Sequence, residues 1–220
     1  MATYDLEEQE QLDELKTWWK MHGNVVTAAV TAVALVVFAW QGWNWYQRKQ
    51  SASASVLYSA MQQAIAGKDA KRARDLAGEL IDKYSGTAYA GMAAMLSARA
   101  QADGGDAKTA RAQLTWAVDN AKDDALRDLA RLRLAAALLD EKAYDEALKQ
   151  LAAEPQAAFV PRFAELKGDV LAVQGKTVEA SAAYQAALTK LDEAGRSDGR
   201  RQGPYRDILQ AKLDSLGSAK

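Results

Sequence analysis

Residues 25–40 read VVTAAVTAVALVVFAW, and they continue as Gln41-Gly42-Trp43-Asn44-Trp45-Tyr46. From Gly23 to Gln47 no residue carries a formal charge. A hydrocarbon core about 30 Å thick needs roughly 20 helical residues rising about 1.5 Å each, and residues 24–46 meet that length. Trp40, Trp43, Trp45 and Tyr46 crowd one end as an interfacial aromatic belt does, and Arg48 and Lys49 close it. Trp18, Trp19 and Lys20 bracket the other end. The competing reading is a buried helix of a soluble core. Such a helix needs apolar partners on every side, and no other apolar run in the chain supplies them. A single transmembrane helix at 24–46 is therefore expected.

A cleaved signal peptide is short, basic at its start and about half as long in its apolar core. Here the preceding residues are long and acidic. Ala52-Ser53-Ala54 resembles a cleavage site but lies beyond Arg48 and Lys49. A retained signal anchor fits better. Lys16 and Lys20 on one side balance Arg48 and Lys49 on the other, so the positive-inside count is a tie. A short N-terminal tail before a long C-terminal domain fits type II insertion.

Charge is uneven along a chain whose total is −1. Residues 1–23 form an acidic tail, with Asp5, Glu7, Glu8, Glu10, Asp13 and Glu14 against Lys16 and Lys20. Leu12, Leu15 and Trp19 fall at helical spacing, so a short amphipathic helix is expected there. Its acidic face disfavours anionic lipid; a docking arm and a solvated tail explain it equally well. The near-zero total gives no footing for nucleic acid as a partner. The absence of cysteine excludes disulfides, thiolate metal sites, a cysteine nucleophile and a lipidated N-terminal cysteine. In the span, Ala28 and Ala32 form a small-xxx-small pair beside Thr27 and Thr31, a face suited to close packing against another membrane helix.

After Tyr46 the chain turns alanine-rich with three prolines, which favours helix throughout. Turn signals recur at Gly67-Lys68-Asp69, Ser85-Gly86-Thr87, Asp103-Gly104-Gly105-Asp106, Asp140-Glu141-Lys142, Glu154-Pro155 and Gly175-Lys176. A small residue recurs as Ala73, Ala110, Ala147 and Ala180, spaced 37, 37 and 33. Twelve residues earlier stand Met61, Ala98, Ala135 and Gly168, and four later stand Ala77, Leu114, Leu151 and Tyr184. Small residues let two helices of a hairpin approach, and bulky ones fill the space between hairpins. Residues 142–151, KAYDEALKQL, resemble the second helix of a tetratricopeptide repeat, and the unit from Gly168 through Tyr184 resembles a nearly complete one. The repeats lack that family's tryptophan, and Met61 is too large for its slot. The expected domain, 47–220, is an all-α solenoid of four hairpins at about 51–84, 87–121, 123–152 and 160–193. A polar loop follows from Ala194 to Gly203, then a capping helix at 204–216 carrying Tyr205, Ile208, Leu209, Leu213 and Leu216.

The sequence offers no glycine-rich phosphate loop, nucleophile motif or paired histidines. No catalytic, cofactor-binding or metal-binding residue is assigned, and no enzyme activity is expected. His22, the single histidine, lies beside the span and lacks the partners a metal requires. Asp123-Asp124 reads as a helix start, since adjacent helical residues diverge. Arg131 and Arg133 are able to meet carboxylates, although exposed helical arginines usually stay solvated. Trp116, Phe159, Phe163 and Tyr205 are candidates for a peptide groove, with core packing the more common fate of aromatic side chains. No partner-binding residue stands out.

The order of parts is an acidic tail, Trp18-Trp19 before Gly23, one span with a tryptophan-rich exit, then tetratricopeptide-like repeats. With the segments LARLRLA at 129–135 and LKGDVL at 166–171, it resembles the ancillary SecYEG translocon subunit family over essentially the whole chain. That resemblance implies a single-pass type II protein of the bacterial inner membrane, with its tail in the cytoplasm and its repeats in the periplasm. It implies association with the SecYEG channel and with a membrane-anchored periplasmic chaperone of the prolyl-isomerase type. It also implies a role in passing exported, unfolded chains to periplasmic chaperones. On the residues alone, two other readings stay open: a scaffold of another envelope complex, and a cytosol-facing receptor of reversed topology.

Overall fold

The computed structural model describes residues 3–198 and 203–217. Every regular element among them is a helix: α1 (Thr3–Ala66), α2 (Ala70–Lys83), α3 (Ala88–Asp103), α4 (Ala107–Asn120), α5 (Asp124–Asp140), α6 (Tyr144–Leu151), α7 (Val160–Val173), α8 (Thr177–Asp198) and α9 (Gly203–Gly217). The described residues divide into two compact units, one ending at Lys49 and one beginning at Gln50.

In the first unit, α1 carries a stretch long and apolar enough to cross a membrane. Its large side chains are exposed, with Val25, Leu35, Phe38 and Trp40 each more than 60% accessible, so no protein core competes for them. Asn24, Thr27, Ala28, Thr31, Ala32 and Leu35 share one face. At the basic end the Lys49 ammonium lies 5.4 Å from the centre of the Trp45 ring. At the acidic end Trp18 stacks on His22 with ring centres 5.4 Å apart. His22 Nδ1 also faces the Trp18 carbonyl at 3.3 Å.

The second unit is a stack of helical pairs closed by one further helix: the last turns of α1 with α2, then α3 with α4, α5 with α6, α7 with α8, and α9 against α8. The first helices of successive pairs also touch, α3 with α5 and α5 with α7. Each pair is joined through one residue in the left-handed region, at Lys68 (φ 58°), Gly105 (φ 83°), Lys142 (φ 61°) and Gly175 (φ 75°). These residues precede Ala73, Ala110, Ala147 and Ala180 by the same five positions. In all four turns the amide after the left-handed residue donates to a carbonyl five residues back, as with Asp69 N to Ala64 O at 2.8 Å and Ala143 N to Leu138 O at 2.8 Å. Asp69 and Asp106 then cap the following helix, each accepting an amide at 3.0 Å from Arg72 and Thr109.

The core follows the small-and-bulky pattern, with one correction. Met61 fits its position. It is fully buried with Ala54, Ala77, Leu80 and Ala93, because the residue at the matching place on α2 is the small Ala77. A second correction concerns the segment expected as a loop from Ala194. Helix α8 continues to Asp198 before the chain leaves the described residues, and α9 starts at Gly203.

Candidate protein-interaction groove

Stacking first helices side by side leaves a groove between them. Between α3 and α5 the groove deepens into two adjoining cavities. One, of about 290 Å³, lies among Met95, Arg99 and Ala102 of α3, Leu114 of α4, and Arg133 and Asp140 of α5. The other, of about 280 Å³, lies among Tyr58 of α1, Met92 and Leu96 of α3, and Leu126 and Leu129 of α5. Met95, Arg99 and Arg133 line both. The floor is apolar, with Met95 buried. Two of these three shared residues are arginines. Arg133 is exposed and makes no hydrogen bond or ion pair among the described residues. Arg99 is exposed and holds Asp103 only loosely, at 3.7 Å. Burial pushes the Tyr58 hydroxyl above its ordinary value, against the opposing pull of Gln62 and Arg133, so it stays a hydrogen-bond donor at neutral pH.

The other residues picked out in the sequence lie elsewhere. Phe163 is buried in the main core, and Trp116 and Phe159 pack against it. None of the three lines either cavity. Asp123 accepts the Leu126 amide at 2.9 Å and starts α5, while Asp124 turns to Arg127. Arg131 pairs with Asp128 at 3.3 Å. Of the two arginines, only Arg133 reaches the groove.

A polar cluster under α9 gave little sequence signal. Lys212 Nζ donates to Glu165 Oε1 at 2.9 Å and to both oxygens of Asp169 at 2.8 Å. The Tyr205 hydroxyl donates to Glu165 at 2.9 Å, and the Tyr184 hydroxyl donates to Asp169 at 2.7 Å. The Arg162 guanidinium sits 3.7 Å from the centre of the Tyr205 ring. Burial works to raise the Glu165 carboxyl, but Lys212 and Tyr205 outweigh it and hold the group below its ordinary value. Burial and the neighbouring carboxylates push both tyrosine hydroxyls well up. Every polar group in the cluster is answered by another, so its task is to fix α9 to α7 and α8. Glu165 and Asp169 share a helix face at a spacing of four. Lys212 follows more than 40 residues later, and nothing local announces the match.

The chain matches a tetratricopeptide repeat-like domain over residues 16–218. It is 33% identical over 217 residues to an ancillary SecYEG translocon subunit of Neisseria gonorrhoeae, covering 96% of this chain and 98% of that protein. Proteins of the same description in Haemophilus influenzae and Escherichia coli K12 are 28% and 25% identical, covering 84% and 82% of this chain and 90% and 87% of theirs. Among solved structures, MamA 41-end from Desulfovibrio magneticus RS-1 superposes with a TM-score of 0.49 at 18% identity, covering 76% of this chain and 96% of that one. Near-complete alignment at one-third identity, together with a repeat-domain match that spans most of the chain, shows that it belongs to the ancillary SecYEG translocon subunit family.

Proposed function

We propose that this chain is a membrane-anchored adaptor that associates with the SecYEG translocon and meets other proteins through its helical repeats. The near-full-length kinship with a protein described as an ancillary SecYEG translocon subunit carries this reading. The apolar, exposed stretch of α1 supplies the anchor. The fold supports an interaction role because stacked helical pairs present one extended surface. Tethering the repeats near the channel raises their local concentration, so weak contacts suffice.

The finer parts of the proposal extend the same logic. The tail lies in the cytoplasm and the repeat domain in the periplasm. There the domain engages a membrane-anchored chaperone of the prolyl-isomerase type and helps pass emerging chains to it. The test is affinity purification of the full chain from detergent-solubilised membranes. Co-recovery of SecYEG is expected, and recovery of neither channel nor chaperone overturns the proposal. Alkaline phosphatase fused to the C-terminus is expected to be active; a silent enzyme there reverses the topology.

A further inference from the structure

Resting on the adaptor reading, we propose that the groove between α3 and α5 takes an extended acidic peptide segment. An apolar side chain enters the cavity walled by Met92, Leu96 and Leu129, and a side-chain carboxylate is held between Arg99 and Arg133.

Charge complementarity argues for this occupant. Several arginines elsewhere in the repeats are matched by carboxylates within the fold. Arg111 meets Glu141 and Glu146, Arg131 meets Asp128, Arg162 meets Glu165, and Arg206 meets Asp192. At the groove Arg133 has no such match among the described residues, and the Arg99–Asp103 contact exceeds hydrogen-bond length with both side chains over 70% exposed. Both arginines line the same two cavities, and a carboxylate between them gains charge-assisted hydrogen bonds. The acid lining the cavities, Asp140, stands in the first of them. No Asp or Glu lines the second, which therefore accepts the acidic end of the segment. Its remaining walls are aliphatic or thioether side chains and the Tyr58 ring, an adaptable surface for an apolar residue next to the carboxylate.

The test uses the full chain in nanodiscs of zwitterionic lipid. The probe is a dye-labelled dodecapeptide with three leucine–aspartate pairs, blocked at both ends so that only side-chain carboxylates are charged. Counterpart peptides replace aspartate by asparagine or by lysine. Fluorescence anisotropy is expected to give at least about tenfold tighter binding of the acidic peptide than of either counterpart. Arg133→Glu is expected to lower that affinity at least about tenfold and to shift preference to the lysine peptide. Arg133→Gln is expected to fall between the two, with helical content and thermal midpoint unchanged. Equal binding of all three peptides, or an acidic-peptide affinity indifferent to Arg133→Glu, overturns the assignment. A chain that binds no peptide yet still co-purifies with SecYEG loses the groove assignment and keeps the adaptor reading.

Discussion

Tyr184 occupies the space that a side chain at residue 168 would need: a Cβ placed on Gly168 would lie 2.5 Å from Tyr184 Cε1 and 2.6 Å from Cδ1. The corresponding pairs in the middle of the stack are Ala98 with Leu114 and Ala135 with Leu151, and in the first hairpin Met61 with Ala77, all buried. Bulk on one helix of each hairpin is thus balanced by its lack on the other. Gly168→Ala is expected to destabilise the repeat domain by about 1–3 kcal/mol, the usual cost of overfilling a packed core. Adding Tyr184→Leu rebuilds the pairing of the middle hairpins, so the double variant loses less than the two single losses combined. Thermal melts of the full chain in detergent, followed by helical signal, measure both.

Two of the four hairpin turns place lysine where the backbone is left-handed, at Lys68 and Lys142. Side chains resist that conformation and glycine does not. Lys142→Gly is expected to stabilise the domain by about 1 kcal/mol, and Gly175→Lys to destabilise it by a similar amount. Denaturant midpoints of the two variants against the parent chain check the signs.

The cluster beneath α9 makes its docking depend on charge. The folded state holds Glu165 below its ordinary value, so its contribution is complete above about pH 4.3 and is lost as pH falls through the lowered value. Lys212 is raised: burial works to lower it, but Asp169 and Glu165 prevail. Its contribution is therefore complete below about pH 10.4 and is lost as pH rises through the raised value. Hydrogen exchange protection of α9 is expected to stay level from about pH 5 to 10 and fall outside that window. Lys212→Met leaves two carboxylates facing each other and is expected to cost about 2 kcal/mol at pH 7. In that variant α9 gains protection as pH falls from about 7 towards 5, where the parent stays level.

Much of this architecture can be read from residue spacing because its causes are local. The span is a matter of length and charge, and the hairpins announce themselves through Ala73, Ala110, Ala147 and Ala180 and the turns five residues before them. Met61 misleads because its fit depends on Ala77, a compensation that composition at one position does not reveal. The continuation of α8 to Asp198 overrides a polar, glycine-containing stretch whose turn character is only a tendency. The groove arginines illustrate a harder limit. Arg131 and Arg133 look alike in sequence, and only their different partners, Asp128 for one and an open groove for the other, separate them.

Asp128 is nearly fully buried, and besides Arg131 it accepts the Gln156 amide at 2.8 Å. It thereby pins the connection between α6 and α7 to α5. Asp128→Ala is expected to cost about 1–3 kcal/mol, since the amide loses its partner inside the fold. Faster amide exchange at residues 154–159, with α2 and α3 unaffected, is the expected signature.

The most direct measurement places a photoreactive side chain at Thr31 on the small-residue face of α1, and separately at Arg133 in the groove, and irradiates living cells. Adducts to a SecYEG subunit from Thr31, and to a periplasmic protein from Arg133, are the expected result for an anchored translocon adaptor. Intact, membrane-embedded chain that yields no adduct to the channel from Thr31 and only cytosolic adducts from Arg133 contradicts it.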